Sequence, residues 1–178
     1  IFIPFLYICG WIFATPIFLL GVDKENLSLI GTIFTFLIFI FSLPKWFKLR
    51  WGVINTWKLL GINKNINLFI FFLRGFLLSI ILISLILIPI IGTKWGYWLG
   101  TISLDTFINA IFLILGIGFA EELIFRGWLL EELKKQFGLK KAIIGQAFIF
   151  SIVHIGFDLP FLQMLNIITG LFLLGILL

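Results

Sequence analysis

Apolar residues in this chain come in long blocks with few polar interruptions. Six blocks stand out: residues 1–22, 28–43, 67–92, a fourth from Ser103 through two glutamates toward Phe137, 141–157, and a sixth from Phe161 to the end. Their lengths fall near the 20 residues that carry a helix across a bilayer. Lipid offers the backbone no hydrogen-bond partners, so each block predicts an α-helix. The third is long enough to tilt or bend. The pattern therefore predicts an all-α, polytopic membrane helix bundle with about six spanning helices. No internal repeat or low-complexity linker divides it, so residues 1–178 read as a single membrane-embedded domain whose N-terminal spans occupy 1–95.

Composition agrees with this and narrows the function classes. The chain is 62% hydrophobic and 12% charged, against about 25% charged in a soluble domain. The net charge of +5 sits in segments that flank the blocks, so it argues for a lipid bilayer and not for nucleic acid. Lys45, Lys48, Arg50, Lys58 and Lys64 fall in 44–66, and Lys134, Lys135, Lys140 and Lys141 in 131–141. Lys24 and Lys94 stand alone in the other short connections. With six spans both basic segments fall on one side, which the bias of Lys and Arg toward the cytoplasm makes cytoplasmic, together with the N-terminus. Trp46, Trp51, Trp57, Trp95 and Trp98 mark span edges, as interfacial aromatics do. Arg74 lies two turns into the third block, where it can snorkel. Cys9 stands alone, without an internal disulfide partner, and reads as a small packing residue. The chain starts and stops inside apolar runs, which reads as a fragment of a longer protein. Its Ile-, Phe- and Lys-rich composition points to a prokaryotic plasma membrane.

Against this background the stretch "FAEELIFRG", residues 119–127, carries three charges. A charged side chain within a span costs roughly 2.5–3.5 kcal/mol on insertion scales, and such groups face a protein interior or a wet cavity. Glu122 and Arg126 are spaced i, i+4 and can pair on one helix face. Glu121 lies about 100° away around the helix. The only histidine, His154, sits in the fifth block. Gly138, after a lysine-rich turn, suits the end of one helix and the start of the next. Glu121 precedes Gly138 by 17 residues and His154 follows it by 16, so in an antiparallel hairpin both stand roughly 24 Å above the turn. Glu121 and His154 thus become a candidate pair for activating water, either directly or through a metal that lowers the water's pKa. Asp158, four residues on, could orient the imidazole, although an interfacial loop acid explains it as well. Glu131 and Glu132 read as part of a solvated amphipathic helix end.

The stretch "EELIFRG" resembles the EExxxR signature of the CPBP (Abi) intramembrane proteases, relatives of the type II CAAX prenyl endopeptidase. "FSIVH", Phe150 to His154, resembles that family's FxxxH signature, and "ITGLFLLG", with Gly170 and Gly175, resembles its next, glycine-containing helix. The resemblance covers roughly 100–178, a catalytic core incomplete at its C-terminal side: the family's HxxxN or HxxxD motif is absent, and Asn166 does not fit it. It implies an intramembrane endopeptidase hydrolysing a peptide bond of a membrane-associated or lipidated peptide. Glu121 would activate the water with His154, while Glu122 and Arg126 support the site. Glu121 and His154 would be the ligands of any divalent metal such as zinc, and a metal-free mechanism is equally compatible. The fragment alone is expected to lack part of the site. Two other classes stay open: a non-catalytic membrane scaffold or bacteriocin-immunity-type protein, and a small transporter or proton relay.

Overall fold

The computed structural model describes residues 2–62, 67–97, 100–156 and 158–177. Lys64 and Trp98, named above, lie outside them. The described residues contain helices and no strands: α1 (Phe2–Leu19), α2 (Lys24–Trp51), α3 (Thr56–Leu59), α4 (Leu68–Gly92), α5 (Leu104–Leu113), α6 (Phe119–Glu121), α7 (Leu130–Phe137), α8 (Leu139–Val153) and α9 (Phe161–Leu177). Two π-helical stretches, Ile114–Gly118 and Glu122–Leu129, lie on either side of α6. The protein is all-α.

Every apolar block contains a helix, but their lengths refine the expected count of six spans. Four helical runs are long and apolar enough to cross a membrane: Phe2–Leu19, Leu29–Trp51, Phe69–Gly92 and Leu104–Phe137. Helix α8 has 15 residues and α9 has 17. At 1.5 Å per residue they reach only about 22 and 25 Å, short of a hydrocarbon core of about 30 Å.

The chain forms two compact units, residues 1–62 with 115–178, and residues 63–114. In the second, α4 is apolar on all sides and Arg74 is exposed. Ser103 caps α5, its hydroxyl accepting from the Thr106 N–H at 3.2 Å.

The first unit is a helical bundle that holds the core. Phe39, Leu43 and Phe47, spaced by four along α2, are at most 1% exposed and pack with Phe2, Leu6 and Leu123. This stripe explains one departure from expectation. The apolar block ends at Leu43, before Pro44, yet α2 continues to Trp51. Proline forfeits one backbone bond, but Leu43 and Phe47 lie on the same buried face and carry the helix past it. Gly52, in the left-handed region at φ 66°, then closes it, its N–H donating to the Lys48 carbonyl and the Val53 N–H to the Phe47 carbonyl. The first part of the basic segment, 44–51, is therefore helix end rather than loop. Trp46, Trp51 and Trp57, expected at lipid edges, pack partly buried against this core; Trp95 is exposed.

Helices α1 and α2 cross at Gly10. A Cβ there would lie 2.8 Å from the Gly31 carbonyl oxygen and the Thr35 nitrogen. Close approach of this kind is how membrane helices associate when lipid leaves no hydrophobic gain between them. At the other end of the unit, Gly138 (φ 79°) separates α7 from α8, as expected. Its positive φ suits glycine, which has no Cβ to clash there.

Candidate active site

The segment 119–132 packs across the first unit. Phe119 meets Phe36 of α2 edge-on at 6.4 Å, and Trp128 contacts Phe2 and Phe39 at 5.5 and 6.5 Å. Within it the helix takes the wider i→i+5 form over Glu122–Leu129. Such segments are rare and are found disproportionately at functional sites. Nothing in the sequence pattern distinguished this from ordinary α-helix.

The expected pairings are present. Arg126 Nη1 lies 2.8 Å from Glu122 Oε1 and 3.0 Å from Oε2, so one guanidinium nitrogen serves both carboxylate oxygens. The Glu122 side chain is 56% exposed and Arg126 27%. Glu121 takes no part in that pair. Its Oε1 stands 3.4 Å from His154 Nε2, and both side chains are about one-third exposed, at 38% and 32%. The equal heights above Gly138 thus correspond to a real contact across α6 and the end of α8.

Helix α8 closes at Val153, so His154 is its C-cap (φ −95°, ψ 12°), not a residue inside a span. This places the imidazole at a helix end, where its Nδ1 lies 2.7 Å from the Phe150 carbonyl oxygen. A carbonyl can only accept, so Nδ1 carries the proton and donates. Phe150 also packs its ring on the imidazole at 4.5 Å and meets Phe125 edge-on at 5.1 Å. One residue therefore fixes both tautomer and ring position. Asp158 does not orient the imidazole: it lies beyond the helix end, exposed, in the turn before α9. Its expected role passes to the Phe150 carbonyl.

With Nδ1–H committed, the neutral imidazole presents a lone pair at Nε2 toward the Glu121 carboxylate, which also only accepts when ionised. The two atoms attract only with a proton or a hydrogen-donating molecule between them. Among the described residues no group of three or more His, Cys, Asp or Glu could hold a metal ion. Glu121 and His154 supply two donors where a catalytic zinc takes three from the protein, so the described residues do not by themselves fit a zinc centre.

Sequence reasoning missed Glu132. It was grouped with Glu131 on a solvated helix end. Glu131 does pair locally, with Lys134 at 2.7 Å, but Glu132 is 6% exposed. Its Oε2 accepts from Trp46 Nε1 at 3.1 Å and Trp51 Nε1 at 2.9 Å, and its Oε1 pairs with Arg50 Nε. Arg50 also lies over both indole rings, 5.5 and 5.2 Å from their centroids. A buried carboxylate needs such donors, and here they come from α2, 81 to 86 residues earlier in sequence. A signal existed: Ile124, Trp128 and Glu132 are spaced by four, and the first two face the core.

Comparison with known proteins assigns the region that carries both motifs. Residues 101–178 match the family described as type II CAAX prenyl endopeptidase Rce1-like. This is the CAAX-protease family that the motifs resemble. The match encloses Glu121, Glu122, Arg126 and His154, and stops short of α1–α4. Residues 1–55 match a different model, a domain of unknown function (DUF8676). No curated protein and no solved structure matches the chain. The stretch similar to the type II CAAX prenyl endopeptidase family thus lies beside a second stretch similar to a domain of unknown function.

Proposed function

We propose that this protein is an intramembrane endopeptidase that hydrolyses a peptide bond of a membrane-associated or lipidated peptide. The observation that carries the reading is the Glu121–His154 contact beside a tautomer-fixing carbonyl. A water placed between them donates one hydrogen to Glu121 Oε1 and the other to His154 Nε2, leaving its lone pairs directed outward. Glu121 takes a proton as the water oxygen attacks the carbonyl carbon. The carboxyl then delivers that proton to the amide nitrogen as the C–N bond breaks. Glu122 and Arg126 neutralise each other beside this base, so Arg126 is not free to claim Glu121.

The step uses only proton transfer and hydrogen bonding at Glu121 and His154; loss of cleavage by the full-length protein on chelation with 1,10-phenanthroline would instead show that a metal activates the water. The two basic segments meet at one end of the first unit through Arg50 and Glu132, which favours an orientation with that end cytoplasmic.

The deciding test uses the full-length gene product. Glu121→Ala and His154→Ala are each expected to lower cleavage by about 10²–10⁴-fold, the range of a lost general acid or base, while the folded state is kept. Wild-type cleavage by both variants would sink the reading. A scaffold role has one specific observation in its favour: Glu121 and protonated His154 would form an ion pair that simply ties the segment to α8. It predicts that Glu121→Gln retains the biological effect.

A further inference from the structure

The two family matches divide the chain, but the first compact unit does not. Its core joins Phe2, Leu6, Phe39, Leu43 and Phe47 of the N-terminal hairpin to Leu123 of the CAAX-protease region. Phe2 is sandwiched in this joint, stacked on Trp46 at 4.2 Å and touching Trp128 at 5.5 Å. Ten residues beyond Glu122, the buried Glu132 carboxylate takes two indole N–H groups and one guanidinium from the last turns of α2. The segment bearing Glu121, Glu122 and Arg126 is therefore gripped by the hairpin at Phe36–Phe119, at Trp128 and at Glu132. His154 stands on the other side, on α8.

From this we infer a role for the N-terminal hairpin: it is a brace that sets the position of Glu121 relative to His154, and Glu132 is its positioning residue. Glu132 touches neither of those side chains. It acts by fixing the rotation and depth of the π-helical segment Glu122–Leu129, which ends three residues before it. A buried carboxylate satisfied only by donors from one neighbouring helix specifies that helix strongly, because any other packing strands the charge. The inference rests on the geometry of the first unit and stands whether or not the pair hydrolyses peptides.

The test reads that geometry directly. In the full-length gene product with every native cysteine, Cys9 included, replaced by alanine and carrying Glu121→Cys and His154→Cys, reconstituted in phosphatidylcholine vesicles, the rate of bridging by a short bis-methanethiosulfonate is measured. Ile143→Cys with Ile176→Cys, which line one cavity between α8 and α9, gives the reference rate in a parallel protein. Adding Glu132→Ala is expected to slow the 121–154 bridge roughly tenfold, equivalent to about 1.4 kcal/mol, and to leave the α8–α9 bridge unchanged. Glu132→Gln, which still accepts from both indoles, restores most of the rate. Trp51→Phe, which removes one donor and keeps the ring, gives a smaller slowing and covers the case in which Glu132→Ala does not fold. An unchanged 121–154 rate in both Glu132→Ala and Trp51→Phe overturns the brace. So does equal slowing of the two bridges, which would mark general loosening.

Discussion

Replacing Gly10 by alanine adds one methyl group at the crossing of α1 and α2, and the structure sets its cost. The new Cβ would lie 2.0 Å from Thr35 Oγ1, 2.8 Å from the Gly31 carbonyl oxygen and 2.8 Å from the Thr35 nitrogen, where ordinary contact begins at 3.4 Å. The hydroxyl can rotate away, at the expense of its own bond to the Gly31 carbonyl at 2.8 Å. The two backbone atoms cannot, so the helices must separate by several tenths of an ångström. Overpacking a well-packed site costs about 1–3 kcal/mol, and alanine recovers roughly 0.5–1 kcal/mol through its better helix propensity. Taken mid-range to mid-range the net loss is about 1 kcal/mol, or about 2–4 °C in melting temperature for a chain of this size. Thermal unfolding in detergent, followed by tryptophan emission, measures it. Adding Thr35→Ala is expected to restore only a minor part, because the backbone contacts remain. An unchanged melting temperature, or full recovery in the double variant, would refute the reasoning.

Further outcomes follow from single contacts. Gly175→Leu places a Cβ 2.9 Å from Ala147 Cβ and 3.0 Å from its Cα; the melting temperature should fall, by an amount equivalent to about 1–3 kcal/mol. Phe150→Leu keeps the carbonyl bond to His154 but removes the ring contacts at 5.1 and 4.5 Å, which thermal unfolding should register as a loss of about 0.5–1.5 kcal/mol. Arg126→Ala leaves an exposed Glu122 to solvent, and after screening its effect in the same assay should not exceed about 0.5 kcal/mol.

Much of the site was legible because helical geometry is regular. Counting residues on either side of Gly138 brings Glu121 level with His154 without reference to tertiary structure, and the i, i+4 spacing gives Glu122 to Arg126. What escaped depended on partners distant in sequence or on departures from regularity. Glu132 looks like its neighbour Glu131 until α2 is folded against it, since the donors lie more than eighty residues away. Pro44 looks like a stop until Phe39, Leu43 and Phe47 are seen to share one buried face. His154 looks like a mid-helix residue until α8 ends one position before it, which replaces Asp158 with a backbone carbonyl as the group that holds the ring.

The π-helical stretch Glu122–Leu129 has a consequence for how this sequence tolerates changes in length. A helix bonded i→i+5 closes each hydrogen-bonded ring around one more residue than one bonded i→i+4, so it can lose a residue and close up as ordinary α-helix. The deletion would fall between Glu121 and His154 in sequence, and the two stay opposed because the wide turn takes up the lost residue. For the same reason the helix beyond it stays close to its original facing, and Glu132 keeps the Trp46–Arg50–Trp51 face within reach. The same deletion within the regular α-helix Leu139–Val153 would turn everything beyond it by about 100°, so tolerance of a lost residue is expected in the π-helical stretch and not there.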